Sequence, residues 1–263
     1  MDITKIPKLK NYYIAYFDIL GYKAFFADEK DHQIFLHEIL SIVQDVKDHT
    51  KQAKNYLIDN IQYRAFSDNF IFYFEENAQD EFADFNALST LSFLMSNIQK
   101  RILAQYEILI RGAITKGQFY FDDNIVFGNA LIRAVEIEAE TAIYPRIVID
   151  KNIFKLNPVH LNIWDNVIKK DNDDENYVDY LSAYEPFVDI TKVRKAIIEL
   201  VNKYCKYPAN FTQSKTIAQR ERLITKYLWL LEKYNNGCDE KLTIDFQIKL
   251  NNRLLKTEVE VKP

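Results

Sequence analysis

The stretch that decides the fold is residues 12–21, YYIAYFDILG, a nearly continuous apolar run that ends in an aspartate and a glycine. A run this apolar and this rich in aromatic residues predicts a central strand buried on both faces. A lone carboxylate at the end of such a strand is costly unless it is paired or bound to a cation. Asp18 therefore indicates a polar site where the strand ends, and Gly21 indicates a tight turn after it.

A second aspartate lies between two further apolar runs. Residues 61–67 and 69–75, IQYRAFS and NFIFYFE, are separated by Asp68 alone, which predicts a β-hairpin with Asp68 at its tip. Taken singly, Asp68 would be a turn residue and Asp18 a helix cap. Taken together, they predict two carboxylates that converge on Mg²⁺ or Mn²⁺, because hard divalent cations prefer oxygen ligands.

The apolar spacing predicts the elements that surround these two runs. They are helices over residues 31–54, 81–105 and 129–142, and strands over residues 107–115, 118–121 and 146–150. The order β-α-β-β-α-β-(β)-α-β predicts an α+β fold with a ferredoxin-like βαββαβ core, in a catalytic domain spanning residues 8–153.

Residues 154–263 change in character and predict a helical C-terminal extension packed on the core. An irregular acidic stretch comes first, over residues 169–176. Helices are expected over residues 188–206 and 212–235, followed by a helix or extended arm over 241–255.

The composition excludes some classes of function. A net charge of −4 argues against a general nucleic-acid binder, which needs a basic surface. It leaves room for a phosphorylated small substrate, because a bound metal neutralises phosphate locally. The two cysteines lack metal-ligand spacing and indicate a reducing compartment. Without a signal peptide or an apolar stretch near the ~20 residues that span a bilayer, the sequence predicts a cytoplasmic protein with no membrane contact.

Several cations and backbone groups are candidates for binding phosphate. Backbone N–H groups in a turn at Ile19, Leu20 and Gly21 can hold a triphosphate, although the turn taken on its own is better explained as an ordinary tight turn. Arg111 and Lys116, in the string RGAITKG, could stabilise charge on a leaving pyrophosphate or form surface ion pairs.

Other charged residues have simpler explanations. For Arg133 and Arg146 the sequence favours a surface charge or an ion pair with nearby acids over phosphate binding. Glu136, Glu138 and Glu140 are interpreted as a solvated flank, with Glu136 as the one candidate exception. There is no P-loop, no GxGxxG and no hydrolytic triad.

Four strings in this order resemble the class III nucleotidyl cyclases over residues 12–150. They are FDILG (17–21), FSDNFIF (66–72), RGAITKG (111–117) and FGNALIRAVEIE (127–138), the last followed by YPRI (144–147). Within that superfamily the chain is most similar to the bacterial anti-phage pyrimidine cyclases of the Pycsar type.

The resemblance implies a homodimer with active sites at its interface and two Mg²⁺ or Mn²⁺ ions held by Asp18 and Asp68. The positions that contact the base in such cyclases are Arg64 and Ile125 here. Arginine only donates hydrogen bonds, which suits the carbonyl oxygens of uracil and favours UTP over CTP. If Arg64 instead faces solvent, other groups read the base.

One departure from the family concerns the pair of residues that stabilises the transition state, an asparagine and an arginine. The matching positions are Ile132 and Glu136, so both are lost. Arg111, Lys116 or Arg133 would have to supply the cation, and Asn129 the amide.

The resemblance thus implies a cyclase that makes a pyrimidine 3′,5′-cyclic monophosphate and pyrophosphate. Its product would be a messenger in antiviral defence, read by a separate effector. Two alternatives stay open: a palm-type (di)nucleotide synthase that uses the same two aspartates, and a catalytically degenerate, dimeric binding module, which the lost pair favours.

Overall fold

The computed structural model describes residues 8–21, 29–51, 56–153, 167–182, 188–205, 217–238, 242–251 and 254–262. The chain divides into two compact units. The first consists of Met1–Gln99 and Ile110–Tyr180, and the second of Lys100–Leu109 and Leu181–Pro263. The boundary of a catalytic domain at residue 153 stays a prediction.

A mixed sheet forms the centre of the first unit, with the apolar run of residues 12–20 as an inner strand. Its strands are β1 (Lys10–Leu20), β2 (Gln62–Phe66), β3 (Asn69–Glu75), β4 (Leu109–Phe121), β5 (Val126–Phe127), β6 (Ile147–Ile149), β7 (Ile168–Lys170) and β8 (Asn176–Val178). Their order is β2-β3-β1-β4-β6-β8-β7, and β5 pairs with β4. The helices along this part of the chain are α1 (Glu29–Lys51), α2 (Tyr56–Asp59), α3 (Ala83–Tyr106) and α4 (Asn129–Glu140).

The order β2-β3-β1-β4, with α1 and α2 before the hairpin and α3 after it, confirms the predicted α+β fold with a ferredoxin-like core. The predicted hairpin is also confirmed, because β2 and β3 pair antiparallel and Asp68 lies in the turn between them.

The two faces of β1 are buried against different helices, which explains why the strand is apolar throughout. On one face, Tyr12, Ile14 and Tyr16 belong to a core cluster with Ala130 and Ala134 of α4. On the other face, Phe17 stacks on Phe70 at 4.9 Å between ring centroids, and the ring of Phe35 in α1 lies 6.2 Å from that of Phe70.

The structure corrects one predicted connection. Residues 107–115 and 118–121 are not two strands joined by a turn at Lys116-Gly117, because β4 runs unbroken through both residues. The partner at its far end is β5, with Tyr120 opposite Phe127. Gly117 is therefore part of a pleated strand.

The stretch over residues 169–176, predicted as irregular, forms the turn between the paired strands β7 and β8 together with the strand ends that flank it. A buried cation stabilises the turn between them. The side chain of Arg146 is fully buried and forms ion pairs with Asp171 and Asp173 of that turn. Its Nη2 also donates to the Thr141 carbonyl at 3.1 Å. Arg146 therefore forms the ion pairs with nearby acids that the sequence favoured, but it forms them as a buried anchor and not as a surface charge.

The second unit contains helices α5 (Ile190–Cys205) and α6 (Ile217–Gly237), near the predicted positions. The rings of Tyr204 and Tyr227 stack at 5.0 Å and join the two helices. Strands β9 (Thr243–Asn251) and β10 (Leu254–Lys262) pair antiparallel where a helix or an extended arm was predicted. Among the described helices, none is both long and apolar enough to cross a membrane.

Candidate active site

Strand pairing brings the two predicted metal ligands to the same end of the sheet. Asp18 on β1 lies opposite Asn69, the first residue of β3, and Asp68 directly precedes Asn69. The backbone N–H of Ile19 donates to the carbonyl of Asp68 at 3.3 Å. Ser67, with a φ of 58°, takes the left-handed conformation that closes the hairpin turn.

Two residues that the sequence analysis did not select orient the Asp68 side chain. Asn69 Nδ2 donates to Asp68 Oδ1 at 3.2 Å, and the hydroxyl of Tyr16 donates to Asn69 Oδ1. Tyr16 is buried on the α4 face of β1. A buried tyrosine two residues before Asp18 thus fixes the amide that holds Asp68.

A third carboxylate joins the site through an arginine. Arg111 Nη2 lies 3.5 Å from Asp18 Oδ2 and closer to Glu138 Oε1. The side chain of Glu138 is only 8% exposed, so its assignment to a solvated flank is wrong. Its spacing from Ala130 and Ala134, eight and four residues earlier, places Glu138 on the buried face of α4 and could have revealed it.

Negative charge dominates this end of the sheet. Burial of Asp18, together with the carboxylates of Glu138 and Asp68, raises the pKa of Asp18 to about 6, and Arg111 opposes the shift. Among the residues that the structure describes, the charges that act on this site are three carboxylates and the Arg111 guanidinium, which leaves a formal charge of −2 when all are ionised. One divalent cation would neutralise that excess.

The donor set fits a metal ion shared with a substrate better than a metal bound by protein alone. Among the described residues, no three His, Cys, Asp or Glu side chains form a metal-binding cluster. Mg²⁺ commonly takes one or two carboxylates and completes its coordination with water and substrate phosphates. Asp18 and Asp68 are the two side chains that would hold such an ion.

The turn after β1 retains part of its predicted capacity to bind phosphate. Gly21 has a φ of 78°, a left-handed conformation that favours glycine. The N–H of Ile19 is already bound to Asp68, so it is not available to a phosphate. Leu20 and Gly21 are the remaining candidates in this turn.

Arg64 lies on the same face of the sheet as Asp18. It is opposite Ile71, which in turn is opposite Tyr16, and cross-strand partners share a face. Its Nη1 donates to the Tyr63 carbonyl at 3.2 Å. The other predicted base contact, Ile125, is 54% exposed in the connection before β5.

Lys116 is not brought to the aspartates, which corrects its selection as a catalytic cation. Its Nζ lies 2.6 Å from Glu76 and 2.7 Å from Asp84, and 5.1 Å from the centre of the Tyr13 ring. Tyr13 is five residues before Asp18, so the two side chains are on opposite faces of β1 and about 16 Å apart along it. Lys116 connects the sheet to α3.

Asn129 and Arg133 lie on the same helix as Glu138 but away from Asp18. The Ala130 carbonyl accepts a hydrogen bond from Thr115 Oγ1, so α4 begins beside the middle of β4 and ends beside Arg111. Asn129 is therefore about 14 Å along the helix from Glu138. Within one chain, neither Asn129 nor Arg133 is brought to the aspartates.

Four apolar side chains close to these two polar residues in the sequence are exposed. These four residues, called the exposed apolar cluster below, are each more than 40% exposed: Ile125, Phe127, Ile132 and Val135. Arg133 is held by Asp150, whose Oδ2 lies 3.3 Å from its Nε.

Comparison with known proteins gave structural neighbours only. No family model and no curated protein matches the chain. Among solved structures, the monomeric guanylyl cyclase domain of the RhoGC fusion protein from the aquatic fungus Blastocladiella emersonii is 12% identical, with a TM-score of 0.45 over 65% of this chain and 95% of that one. The adenylyl cyclase CyaB from P. aeruginosa is 15% identical, with a TM-score of 0.43 over 66% of this chain and 95% of that one.

A bacterial light-regulated adenylyl cyclase is 14% identical, with a TM-score of 0.42 over 72% of this chain and all of that one. These neighbours are all nucleotidyl cyclase domains. Because their TM-scores are below 0.5, the proposals that follow rest on the geometry of the site.

Proposed function

We propose that this chain is a metal-dependent nucleotidyl cyclase that converts a pyrimidine nucleoside triphosphate, UTP in preference to CTP, into its 3′,5′-cyclic monophosphate and pyrophosphate. The observation that carries the proposal is the convergence of Asp18 and Asp68 at one end of a ferredoxin-like sheet, in a site with excess negative charge. The cyclic product would serve as a messenger in antiviral defence, read by a separate effector.

Asp18 and Asp68 would hold Mg²⁺ or Mn²⁺, which supplies activation of the ribose 3′-hydroxyl and neutralisation of the triphosphate. The 3′-oxygen forms a bond to the α-phosphorus, the bond from that phosphorus to the bridging oxygen breaks, and the 3′ proton passes to solvent. Tyr16 and Asn69 fix the direction of the Asp68 carboxylate, so the protein contributes chiefly position and charge.

The preference for uracil rests on Arg64 and Ile125. Arg64 shares the sheet face of Asp18 and offers only donors, which match the O2 and O4 acceptors of uracil. Apolar Ile125 provides no acceptor for an exocyclic amino group. In a closed pocket, an Arg64 donor or an exocyclic amino group of the base that is left without a hydrogen-bond partner would penalise binding of the wrong base.

The direct test is incubation of the purified protein with each of the four nucleoside triphosphates and Mn²⁺, followed by identification of the products by mass spectrometry. We expect cUMP as the main product. Arg64→Ala should reduce the preference for UTP by about ten- to hundredfold, because the donors matched to uracil are lost. Arg222→Ala, at an exposed position in α6, is the control and should leave the preference unchanged.

Other outcomes of this assay distinguish the alternatives. A linear or cyclic dinucleotide would indicate a palm-type synthase with the same aspartates. Equal turnover of ATP and UTP would contradict the role of Arg64. No product from any triphosphate would favour the dimeric binding module, for which the exposed Ile132 at the family's asparagine position is the specific observation.

We further propose that the active form is a two-fold homodimer. The exposed apolar cluster of Ile125, Phe127, Ile132 and Val135 would be covered by the partner, and Asn129 and Arg133 would face the aspartates of the other chain. One chain would then supply the metal ligands and the other the transition-state contacts.

Complementation tests this arrangement. Asp18→Ala and Arg133→Ala should each be inactive alone, because each removes one half of every active site. Mixed in equal amounts and allowed to exchange subunits, they should recover about a quarter of the wild-type activity, since half of the dimers would contain one intact site. Lack of recovery, or a monomer in sedimentation at high micromolar concentration, would contradict the shared site.

A further inference from the structure

Arg111 contacts two carboxylates unequally. Its guanidinium lies against Glu138 on α4, and only a longer contact of 3.5 Å connects it to Asp18 on β1. Both Asp18 and Arg111 are about one-fifth exposed, so water weakens their attraction only in part. Arg111 therefore competes with a metal ion for the carboxylate oxygen atoms of Asp18.

Glu138 determines which of the two carboxylates holds Arg111 more strongly. The carboxylate is almost fully buried, on the helix face that packs through Ala130, Ala134 and Ile137. A buried carboxylate needs a cation nearby, and a buried charge is strongly destabilising when its partner is removed. Glu138 therefore holds the guanidinium firmly, whereas the more exposed Asp18 has the weaker contact.

We propose that Glu138 is a positioning residue that restrains Arg111 and so keeps the Asp18 carboxylate open to a divalent cation. Without Glu138, the guanidinium would move to its remaining carboxylate partner and would have to be displaced before metal could bind. The inference rests on the proposed function in one respect, namely that Asp18 is a metal ligand.

The test is Mn²⁺ binding to the full-length protein without nucleotide, measured by titration calorimetry and by the loss of the free Mn²⁺ signal in electron paramagnetic resonance. Glu138→Gln should weaken the affinity by about tenfold or more, because a charged hydrogen bond between Arg111 and Asp18 must first be broken. Glu140→Gln, at an exposed position two residues further along the same helix, should bind as the wild type does.

The double variant R111Q/E138Q separates restraint from a direct effect of the Glu138 charge. If Glu138 acts by restraining Arg111, the loss should disappear in the Arg111→Gln background, where no guanidinium competes. If Glu138 →Gln weakens binding by the same factor in both backgrounds, Glu138 acts as a ligand or through its field, and the inference is wrong. An unchanged affinity in Glu138→Gln would overturn it as well.

Two further variants keep the result interpretable. Should Glu138→Gln fail to fold, as judged by thermal melting, Glu138→Asp retains the charge on a side chain one methylene shorter. Its affinity should then fall in the presence of Arg111 and not in the Arg111→Gln background, and no fall would overturn the inference. Asp18→Asn tests the premise that Asp18 is a metal ligand. If this variant binds Mn²⁺ as the wild type does, the proposed metal site is wrong. If Asp18→Asn binds weakly but Glu138→Gln binds normally, the metal site stands and only the proposed role of Glu138 is wrong.

Discussion

Replacing either Asp18 or Asp68 by asparagine is expected to reduce cyclic nucleotide formation by at least about a thousandfold. Asparagine keeps the shape of aspartate but removes the charge that holds a divalent cation, so the loss should appear in the rate of the chemical step. Because Asp18 is partly buried beside the carboxylate of Glu138, a neutral amide there should also leave the fold intact. Turnover of UTP with Mn²⁺ and a parallel urea unfolding curve measure the two effects.

The control for this experiment is Glu75→Gln. Glu75 lies at the opposite end of β3 and forms an exposed ion pair with Lys10, so its charge cannot reach the candidate site. It should lose little activity, since exposed ion pairs contribute little. A protein carrying both Asp18→Asn and Asp68→Asn that still forms cyclic nucleotide would end the cyclase proposal.

Gly112→Ala is expected to destabilise the protein by about 3 kcal/mol or more. A Cβ at this position would lie 1.9 Å from the Tyr16 carbonyl oxygen and 2.8 Å from the Phe17 Cα. Both atoms are backbone, so β1 and β4 would have to separate beside Asp18 to relieve the overlap. Urea unfolding should show either a much lower midpoint or no folded protein.

Gly117→Ala is the matched control in the same strand. There a Cβ would lie no closer than 3.5 Å to its neighbours, the nearest of which is Ala130, which is ordinary van der Waals contact. The free energy of unfolding should stay within about 1 kcal/mol of the wild type. If both variants unfold at the wild-type midpoint, the close approach of β1 and β4 at Gly112 is wrong.

The features that depend on local patterns were predictable from the sequence. The run of residues 12–20 is apolar at every position before Asp18, which is the pattern of a strand covered on both faces. The hairpin followed from two short apolar runs around Asp68, and the helices followed from their apolar spacing. Because Asp18 and Asp68 each lie at the end of an apolar run, a pair of carboxylates could be predicted from these elements, and the pairing of β1 with β3 then brings the two residues together.

Which polar side chains meet across the sheet was decided by the tertiary structure. Arg111 and Lys116 look equivalent in the string RGAITKG, yet they are five positions apart in one continuous strand, and an odd spacing puts them on opposite faces. Arg111 meets Asp18 and Glu138, whereas Lys116 meets Glu76 and Asp84.

The sequence by itself determined the central strand β1, the β2–β3 hairpin, the longer helices and the two aspartates, because each follows from the pattern of a single segment. The tertiary structure alone decided that Arg111 is the cation that meets Glu138 and that Arg146 anchors the β7–β8 turn. The physical reason is that a charged residue is buried only where a partner from a distant segment compensates its charge. The spacing of residues within one segment does not identify which distant segment supplies that partner.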